Sequence, residues 1–193
     1  MHRILNIAGN ENNNVDLIEQ PKADFIFITS VKADINIISE LIEDKDFDLF
    51  KNNFRALEIT NLDTSAQIDN YILKTINYAK VVILRLFGDK GTWSYGIEQL
   101  IRWQELNIKR TLLILSGTDE EDISLNELGS VDLDISLKIS KLLRSGGREN
   151  YGRFLHCLTY LLSNETNIPK KYTSNLSYPD PYKYDWKNEK GLK

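Results

Sequence analysis

Short apolar, β-branched runs recur along the chain, separated by segments with helical spacing or by polar loops. Five such runs predict β-strands, at residues 3–8, 24–30, 55–60, 80–87 and 111–116. Several of them are apolar at consecutive positions, which is typical of strands that helices cover on both faces. Strands that alternate with helical segments favour a parallel sheet. The sequence therefore predicts an α/β fold, Rossmann-like or flavodoxin-like: a doubly wound, mostly parallel five-stranded sheet with flanking helices.

Three connecting segments carry the apolar periodicity of helices packed against such a sheet. In the first, Asp34 is placed to cap a helix. In the second, Thr64 and Gln67 form a T-x-x-Q capping box. The third follows the fourth strand, carries Glu98 and Arg102 at ion-pair spacing, and is expected to end at Asn107. The apolar faces of the three helices are Ile35, Ile38, Leu41 and Ile42; Ile68, Tyr71, Ile72, Thr75, Ile76 and Ala79; and Trp93, Ile97, Leu100 and Ile101.

The segment 131–145 fits two kinds of element. Its apolar residues alternate from Val131 to Ile139, as in a half-buried strand, yet Ile135, Ile139 and Leu142 also share one helical face. We favour a helix because Ser-Gly-Gly at 145–147 is a helix-stop signal. A further helix is predicted from about residue 149 to residue 163.

Two segments lack any convincing period. Residues 9–22 are rich in Asn and predict a loop. Beyond Asn164 lie three of the four prolines together with several aromatic residues, which predicts an extended C-terminal strap without regular structure. The expected organisation is one α/β domain over residues 1–163 and a Pro/Tyr-rich connector over residues 164–193, leading to a following domain.

Composition and charge narrow the class of protein. The 193 residues are 41% hydrophobic and 27% charged, as in ordinary globular domains. Because 24 basic and 28 acidic residues are mixed along the chain, nucleic acid is not an expected partner. The longest apolar run is far shorter than the ~20 residues of a membrane span, and no signal peptide is recognisable, so we expect a cytoplasmic protein without a membrane partner. Cys157, His2 and His156 have no zinc-site spacing, and Cys157 is expected to pack in the core.

The most informative polar stretch follows the fourth strand, RLFGDKGTWSYGIEQL at residues 85–100. Ligands of open parallel sheets bind outside the carboxyl ends of the strands, and a helix start favours anions. Arg85, the glycines and the aromatic rings therefore suit a carboxylate or a planar apolar ligand. The structural alternative is that Arg85 pairs with Glu98 or another carboxylate and Trp93 packs the helix onto the sheet, and the residues alone favour it. Phosphate-binding loops, dinucleotide fingerprints and nucleophile elbows are absent, and His156 is expected to be a surface or packing residue.

This stretch, together with MHRI at the start, QPKADFIFITS at 20–30 and LLRSGGRENYGRFL at 142–155, resembles a known family. The resemblance is to the N-terminal region of the large subunit of ATP-dependent cobaltochelatase (CobN type), related to the large subunit of magnesium chelatase, and it runs from Met1 to about Leu162. The most specific matches are R-x-x-G…W-x-Y-G and G-G-x-x-N. They fall on Arg85, Gly88, Trp93, Tyr95, Gly96, Gly146, Gly147 and Asn150. Asp89 departs from the family, which commonly has a second glycine there.

The resemblance implies a head domain of a subunit that binds a corrin precursor, hydrogenobyrinic acid a,c-diamide, and inserts Co²⁺ during aerobic cobalamin biosynthesis. The implied partners are the remainder of the large subunit, an AAA+ ATPase and companion chelatase subunits. Co²⁺ and ATP are used by the full complex, while this chain is expected to hold no cofactor, metal ligand or catalytic residue and to be inactive alone. The eight matched residues and Glu98 are expected to face substrate or a partner. The alternatives are a magnesium chelatase homologue and a stand-alone, non-enzymatic binding or interaction module.

Overall fold

A four-stranded parallel sheet forms the centre of the computed structural model, which describes residues 17–118 and 120–176. The strands are β1 (Phe25–Thr29), β2 (Phe54–Glu58), β3 (Val81–Leu86) and β4 (Thr111–Ser116), in the spatial order β2-β1-β3-β4. Every strand pair is parallel, and Phe25 stands opposite Phe54 on one side and Val81 on the other. The strand predicted at residues 3–8 lies outside the described residues, so a fifth strand stays a prediction.

Helices cover both faces of the sheet. They are α1 (Lys32–Leu41), α2 (Ser65–Lys74), α3 (Ser94–Glu105), α4 (Ile123–Asn126), α5 (Leu133–Ser145), α6 (Arg148–Leu162) and α7 (Lys170–Thr173), with 3-10 turns at Lys45–Phe47, Ile59–Asn61 and Ile76–Tyr78. Successive strand residues point to opposite layers. Phe25, Phe27 and Ile83 join a core with α1, α5 and α6, whereas Ile26 and Val82 join a second core with α2 and α3. The predicted doubly wound α/β architecture is confirmed.

Local signals set most helix boundaries. The capping box is present: the Thr64 hydroxyl accepts from the Gln67 backbone N–H at 3.3 Å, and the Gln67 side chain accepts from the Thr64 N–H at 3.0 Å. The ambiguous segment is the helix α5, whose first turn is capped by the Asp132 carboxylate. Arg102 and Glu98 pair at 2.5 Å on the surface of α3, as their spacing predicts. That helix ends at Glu105, two residues before the predicted end.

Asp34 does not cap α1. The helix begins at Lys32, after Val31, and Asp34 lies in its first turn with a fully buried side chain. The physical reason for this correction is a buried guanidinium, that of Arg85, which the Asp34 carboxylate contacts instead of the free N–H groups at the helix start.

The segment after Asn164 is partly regular, which corrects the expectation of no regular element there. Residues 170–173 form the short helix α7, and Ile168 and Tyr172 pack against the core beside α6. The predicted loop is found over residues 17–22. Residues 177–193, which contain most of the predicted strap, lie outside the described residues, and the division into a domain and a connector stays a prediction.

The capping box generates a test of local stability. Replacement Thr64→Ala removes the acceptor for the Gln67 N–H and is expected to lower the free energy of unfolding by about 1 kcal/mol. Urea unfolding followed by circular dichroism measures the change. The matched control is Ser65→Ala one residue later, at an exposed position inside the first turn. Equal stabilities of the two variants would contradict the assigned cap.

Candidate functional site

A buried polar network occupies the carboxyl edge of the sheet, between β1 and β3. Arg85 at the end of β3 is 5% exposed, and its Nη1 lies 2.6 Å from Oδ1 of Asp34, which is fully buried. Oδ2 of Asp34 accepts from the Thr29 hydroxyl at the end of β1 at 2.8 Å. Arg85 Nε donates to the Ser116 carbonyl at the end of β4 at 3.5 Å. The network thus joins three strand ends and the first turn of α1.

Tyr151 on α6 completes this network. Its hydroxyl donates to Asp34 and accepts from Arg85 Nη1 at 3.2 Å. Burial, followed by the negative charge of Asp34, raises the pKa of Tyr151 well above its ordinary value of 10.0, so the phenol stays protonated and serves as a donor. Either charge alone, buried without its counter-ion, would be strongly unfavourable. Here Arg85 and Asp34 neutralise each other, and Thr29, Ser116 and Tyr151 form hydrogen bonds with their remaining polar atoms.

Between β1 and β3, where the strand order reverses and many open parallel sheets bind a ligand, the crevice is therefore filled by these side chains. The partner carboxylate of Arg85 is Asp34, five residues after β1, and not Glu98. Arg85 thus forms a structural ion pair with another carboxylate, as the residues alone favoured. Its guanidinium is enclosed, whereas the resemblance implied that it faces substrate or a partner. Sequence reasoning missed Asp34 and Tyr151, since neither lies within the motif stretch that contains Arg85.

The loop after β3 is held by Trp93. The indole N–H donates to the Leu62 carbonyl at 3.0 Å, and the ring is half-buried over Gly96. A Cβ at Gly96 would lie 2.4 Å from three atoms of that ring, so only glycine fits beneath it. Gly88 has a φ of +93°, which favours glycine at this turn. Trp93 thus packs the helix α3 against the body of the lobe, as the structural alternative predicted, and Gly88 and Gly96 permit the turn and the close ring contact.

Two residues of the same stretch lie at the surface. The Tyr95 hydroxyl donates to Asp69 at 2.8 Å, and this hydrogen bond is the main cause of a raised pKa for Tyr95. Glu98 is exposed and paired with Arg102. Phe87 of the same stretch is also exposed, and we call these three exposed residues, Phe87, Tyr95 and Glu98, the α3 face.

The second motif stretch forms the junction between α5 and α6. Gly146 and Gly147 have φ values of +67° and +78°, which let the chain turn sharply between the helices. The amide of the fully buried Asn150 donates to the Gly146 carbonyl at 2.8 Å and to the Leu176 carbonyl at 2.9 Å, and its oxygen accepts from the Leu176 N–H at 2.8 Å. The Asn150 side chain therefore satisfies both backbone hydrogen-bonding groups of Leu176 and holds that residue beside α6.

The two motif stretches meet through this packing. Tyr151, which follows Asn150, contacts Arg85 of the first stretch. Arg85, Trp93, Gly96 and Asn150 make contacts inside the lobe, and Gly146 and Gly147 are half-buried in the turn between α5 and α6. The remaining residues, Gly88, Tyr95 and Glu98, are exposed.

A groove of about 680 Å³ lies elsewhere, between the end of α1 with the following 3-10 turn and the helices α6 and α7. Leu41, Phe47 and Tyr172 form apolar walls, and His156 lies between the two rings, with centroids 5.1 Å from Phe47 and 4.4 Å from Tyr172. His156 is thus a packing residue, as expected, but one that lines a cavity. The sequence contained a signal, since residues 148, 152 and 156 recur at the spacing of one helical face.

Other chemical groups have simple placements. Cys157 is buried, burial raises its pKa to about 12, and it packs in the core as predicted. Over residues 17–118 and 120–176 there is no cluster of three or more His, Cys, Asp or Glu side chains suited to a metal ion. No helix within those same residues has the length and apolar character needed to cross a bilayer.

Comparison with known proteins finds no matching family model. Two curated relatives match most of the chain. The aerobic cobaltochelatase subunit CobN of Pseudomonas aeruginosa is 29% identical over 145 residues, which are 73% of this chain and 11% of that protein. The subunit of the same name from Sinorhizobium sp is 25% identical over 158 residues, 80% of this chain and 12% of that protein. The chain thus spans about a ninth of the length of these relatives.

One solved structure shares the fold. The catalytic subunit of cobaltochelatase from Mycobacterium tuberculosis superposes with a TM-score of 0.57, at 18% sequence identity, over 83% of this chain and 12% of that chain. At this identity the likeness establishes the fold of the lobe. The resemblance stated from the motif residues is confirmed by the two sequence relatives.

The Arg85–Asp34 pair generates a stability test. Arg85→Met leaves the Asp34 carboxylate buried without its counter-ion and is expected to cost about 3–5 kcal/mol of unfolding free energy. The double variant Asp34→Leu/Arg85→Met removes both charges and is expected to be more stable than Arg85→Met alone. Urea denaturation of the variants measures the coupling.

The matched control is Arg102→Met, which breaks the pair with Glu98 where the two side chains are 61% and 57% exposed. That change is expected to cost less than about 1 kcal/mol. A cost for Arg85→Met as small as that of the control would show that the Asp34 charge is not enclosed.

His156 generates a pH test. Burial, aided by Lys171 and opposed by Asp46, lowers the pKa of His156 below 6.5. The unfolded chain therefore binds the proton first, and stability is expected to fall as pH decreases from about 7 towards the folded-state pKa. The replacement His156→Gln is expected to remove the contribution of His156 to the pH dependence of stability. The midpoint of urea unfolding should then change less with pH between 5 and 8. An unchanged dependence in the variant would contradict it.

Proposed function

We propose that this chain, which is homologous over about three quarters of its length to the aerobic cobaltochelatase subunit CobN, is a lobe of the large subunit of a cobalt-inserting chelatase. The carrying observation is that two such subunits match 145 and 158 residues of the chain, which are 73% and 80% of it. The proposed reaction of the whole complex is insertion of Co²⁺ into hydrogenobyrinic acid a,c-diamide, with ATP hydrolysed by AAA+ partner subunits, in aerobic cobalamin biosynthesis in the cytoplasm.

The chemistry of metal insertion belongs to other parts of the complex in this proposal. A chelatase must strip water from the metal and remove two pyrrole protons while it holds a large macrocycle, and these tasks require an enclosing cavity and basic side chains. One four-stranded lobe offers an open groove of about 680 Å³ and, among the described residues, no cluster of metal-binding side chains. The matched segment is only 11–12% of each relative, which leaves ample chain for the cavity.

The lobe itself is proposed to dock a neighbouring part of the chelatase through the α3 face. Phe87 is 47% and Tyr95 37% exposed, and an aromatic side chain at the centre of an interface contributes strongly to binding. Glu98 adds a charge at the edge of this surface, where charges govern specificity and the rate of association. Arg85, Trp93 and Asn150 support the proposal indirectly, because their contacts fix the loop and helix that present this surface.

Removal of the gene tests the function. In the native host, deletion of the coding sequence is expected to abolish cobalt insertion, so that metal-free hydrogenobyrinic acid a,c-diamide accumulates. Chromatography with corrin absorbance measures the accumulation, and the level of magnesium porphyrins is expected to stay constant. Loss of magnesium porphyrin with normal corrin would instead identify a magnesium chelatase homologue. Normal levels of both would favour a stand-alone binding module and overturn the proposal.

Complementation with surface variants tests the docking role. Tyr95→Ala/Glu98→Arg is expected to reduce the initial rate of cobalt insertion in extracts at least about tenfold, equivalent to about 1.4 kcal/mol of docking free energy. The matched control is Tyr78→Ala/Glu105→Arg, the same exchanges at exposed positions near the other end of α3. Thermal melting confirms that both variants are folded. Equal rates for the two variants would overturn the assignment of the α3 face.

A further inference from the structure

The groove between α1 and α6 has the volume of a small-molecule site. Its 680 Å³ falls within the range of roughly 300–1,000 Å³ that is typical of ligand pockets, which are mostly apolar with a few polar groups. The side chains of Leu41 and Phe47 form one wall, and Tyr172 of α7 forms another. The α3 face contributes none of the groove residues, so the groove is independent of the proposed docking surface.

Gly152 keeps the groove open. It lies in the middle of α6, where glycine costs about 0.5–1 kcal/mol relative to alanine. A Cβ built there meets the Phe47 ring at 3.4 Å, an ordinary contact distance, so neither the backbone nor packing demands glycine. The effect of glycine at residue 152 is therefore to leave free space in the groove beside Phe47 and His156.

Most charges around the groove already have partners. Arg148 pairs with Asp44 at 2.6 Å, and Arg153 pairs with Glu149 at 3.1 Å. Lys171 differs, because no carboxylate of the described residues lies within ion-pair distance of its ammonium group. Its Nζ lies 4.6 Å from the centroid of the Tyr172 ring, at the edge of the apolar walls.

The imidazole of His156 is also available. Its ring contacts Phe47 and Tyr172, yet its nitrogens make no hydrogen bond with any residue of the described part of the chain. The groove thus offers three aromatic rings, a free imidazole nitrogen and one unneutralised cation. Aromatic rings favour a planar unsaturated ligand through stacking or edge contacts, and the ammonium favours an anionic group at one end of it.

We propose that this groove binds a small planar aromatic carboxylate, with its ring system packed against the wall that Phe47, His156 and Tyr172 form and its carboxylate against Lys171. The inference goes beyond the proposed function, since it concerns a different surface and stands if the lobe has no role in metal insertion. Ring contact supplies the apolar part of the affinity, and the ion pair distinguishes an acid from its neutral analogue. Because Lys171 and Tyr172 lie on α7, the site exists only while the segment after α6 is docked.

Calorimetric titration of the full 193-residue protein with naphthalene-2-carboxylate tests this site, with 2-naphthylmethanol as the neutral analogue. The acid is expected to bind at least threefold more tightly than the alcohol, and Lys171→Met is expected to remove that difference while binding of the alcohol is unchanged. The matched control is Lys141→Met, at an exposed position on α5. Gly152→Leu is expected to abolish binding of both compounds by filling the groove, and thermal melting of the variant confirms that it is folded.

Three results would overturn the proposal. They are no binding of the acid at millimolar concentration, equal affinities for the acid and the alcohol, and binding that survives in a folded Gly152→Leu protein. A loss of affinity in Lys141→Met equal to that in Lys171→Met would likewise show a general charge effect instead of a site. None of these outcomes depends on cobalt insertion, so failure here is distinguishable from failure of the proposed function.

Discussion

The buried ion pair between Arg85 and Asp34 is the constraint on which the carboxyl edge of this lobe depends. A guanidinium and a carboxylate removed from water are tolerable only together and only with their remaining hydrogen-bonding groups satisfied. Thr29, Ser116 and Tyr151 provide those hydrogen bonds, and each comes from a different element. One electrostatic requirement thereby fixes β1, β3, β4, α1 and α6 relative to one another.

This constraint extends to the C-terminal part of the described chain. Tyr151 is held by the ion pair, and the preceding Asn150 binds both backbone groups of Leu176. Arg153, one turn further along α6, donates to the Ser174 carbonyl at 2.5 Å. The segment that contains α7 is therefore attached to the same helix that seals the carboxyl edge. As a result, the groove beside Phe47 and the network around Arg85 share α6 as a common wall.

The structure assigns internal contacts to most of the motif residues on which the family resemblance was stated. Arg85 forms a buried ion pair, and the Trp93 indole N–H donates to a backbone carbonyl. Gly96 lies directly beneath the Trp93 ring, Gly147 adopts a positive φ, and Asn150 binds the backbone of Leu176. Requirements of this kind restrict the residue type severely. The exposed residues of the same stretch, Tyr95 and Glu98, have no such internal restriction.

Local patterns in the sequence predicted the helices and strands of this protein. Apolar runs predicted the strands, and apolar residues at a 3.6-residue period predicted α2, α3 and α6. Thr64 and Gln67 predicted the start of α2. Only the tertiary structure decided the partner of Arg85, the role of Asp34 and the existence of the groove. Helix starts and periodicity arise from residues a few positions apart, whereas Asp34, Arg85 and Tyr151 are brought together by chain crossings that span 51 and 66 residues. Contacts at that separation depend on the order of the strands, which no local pattern specifies.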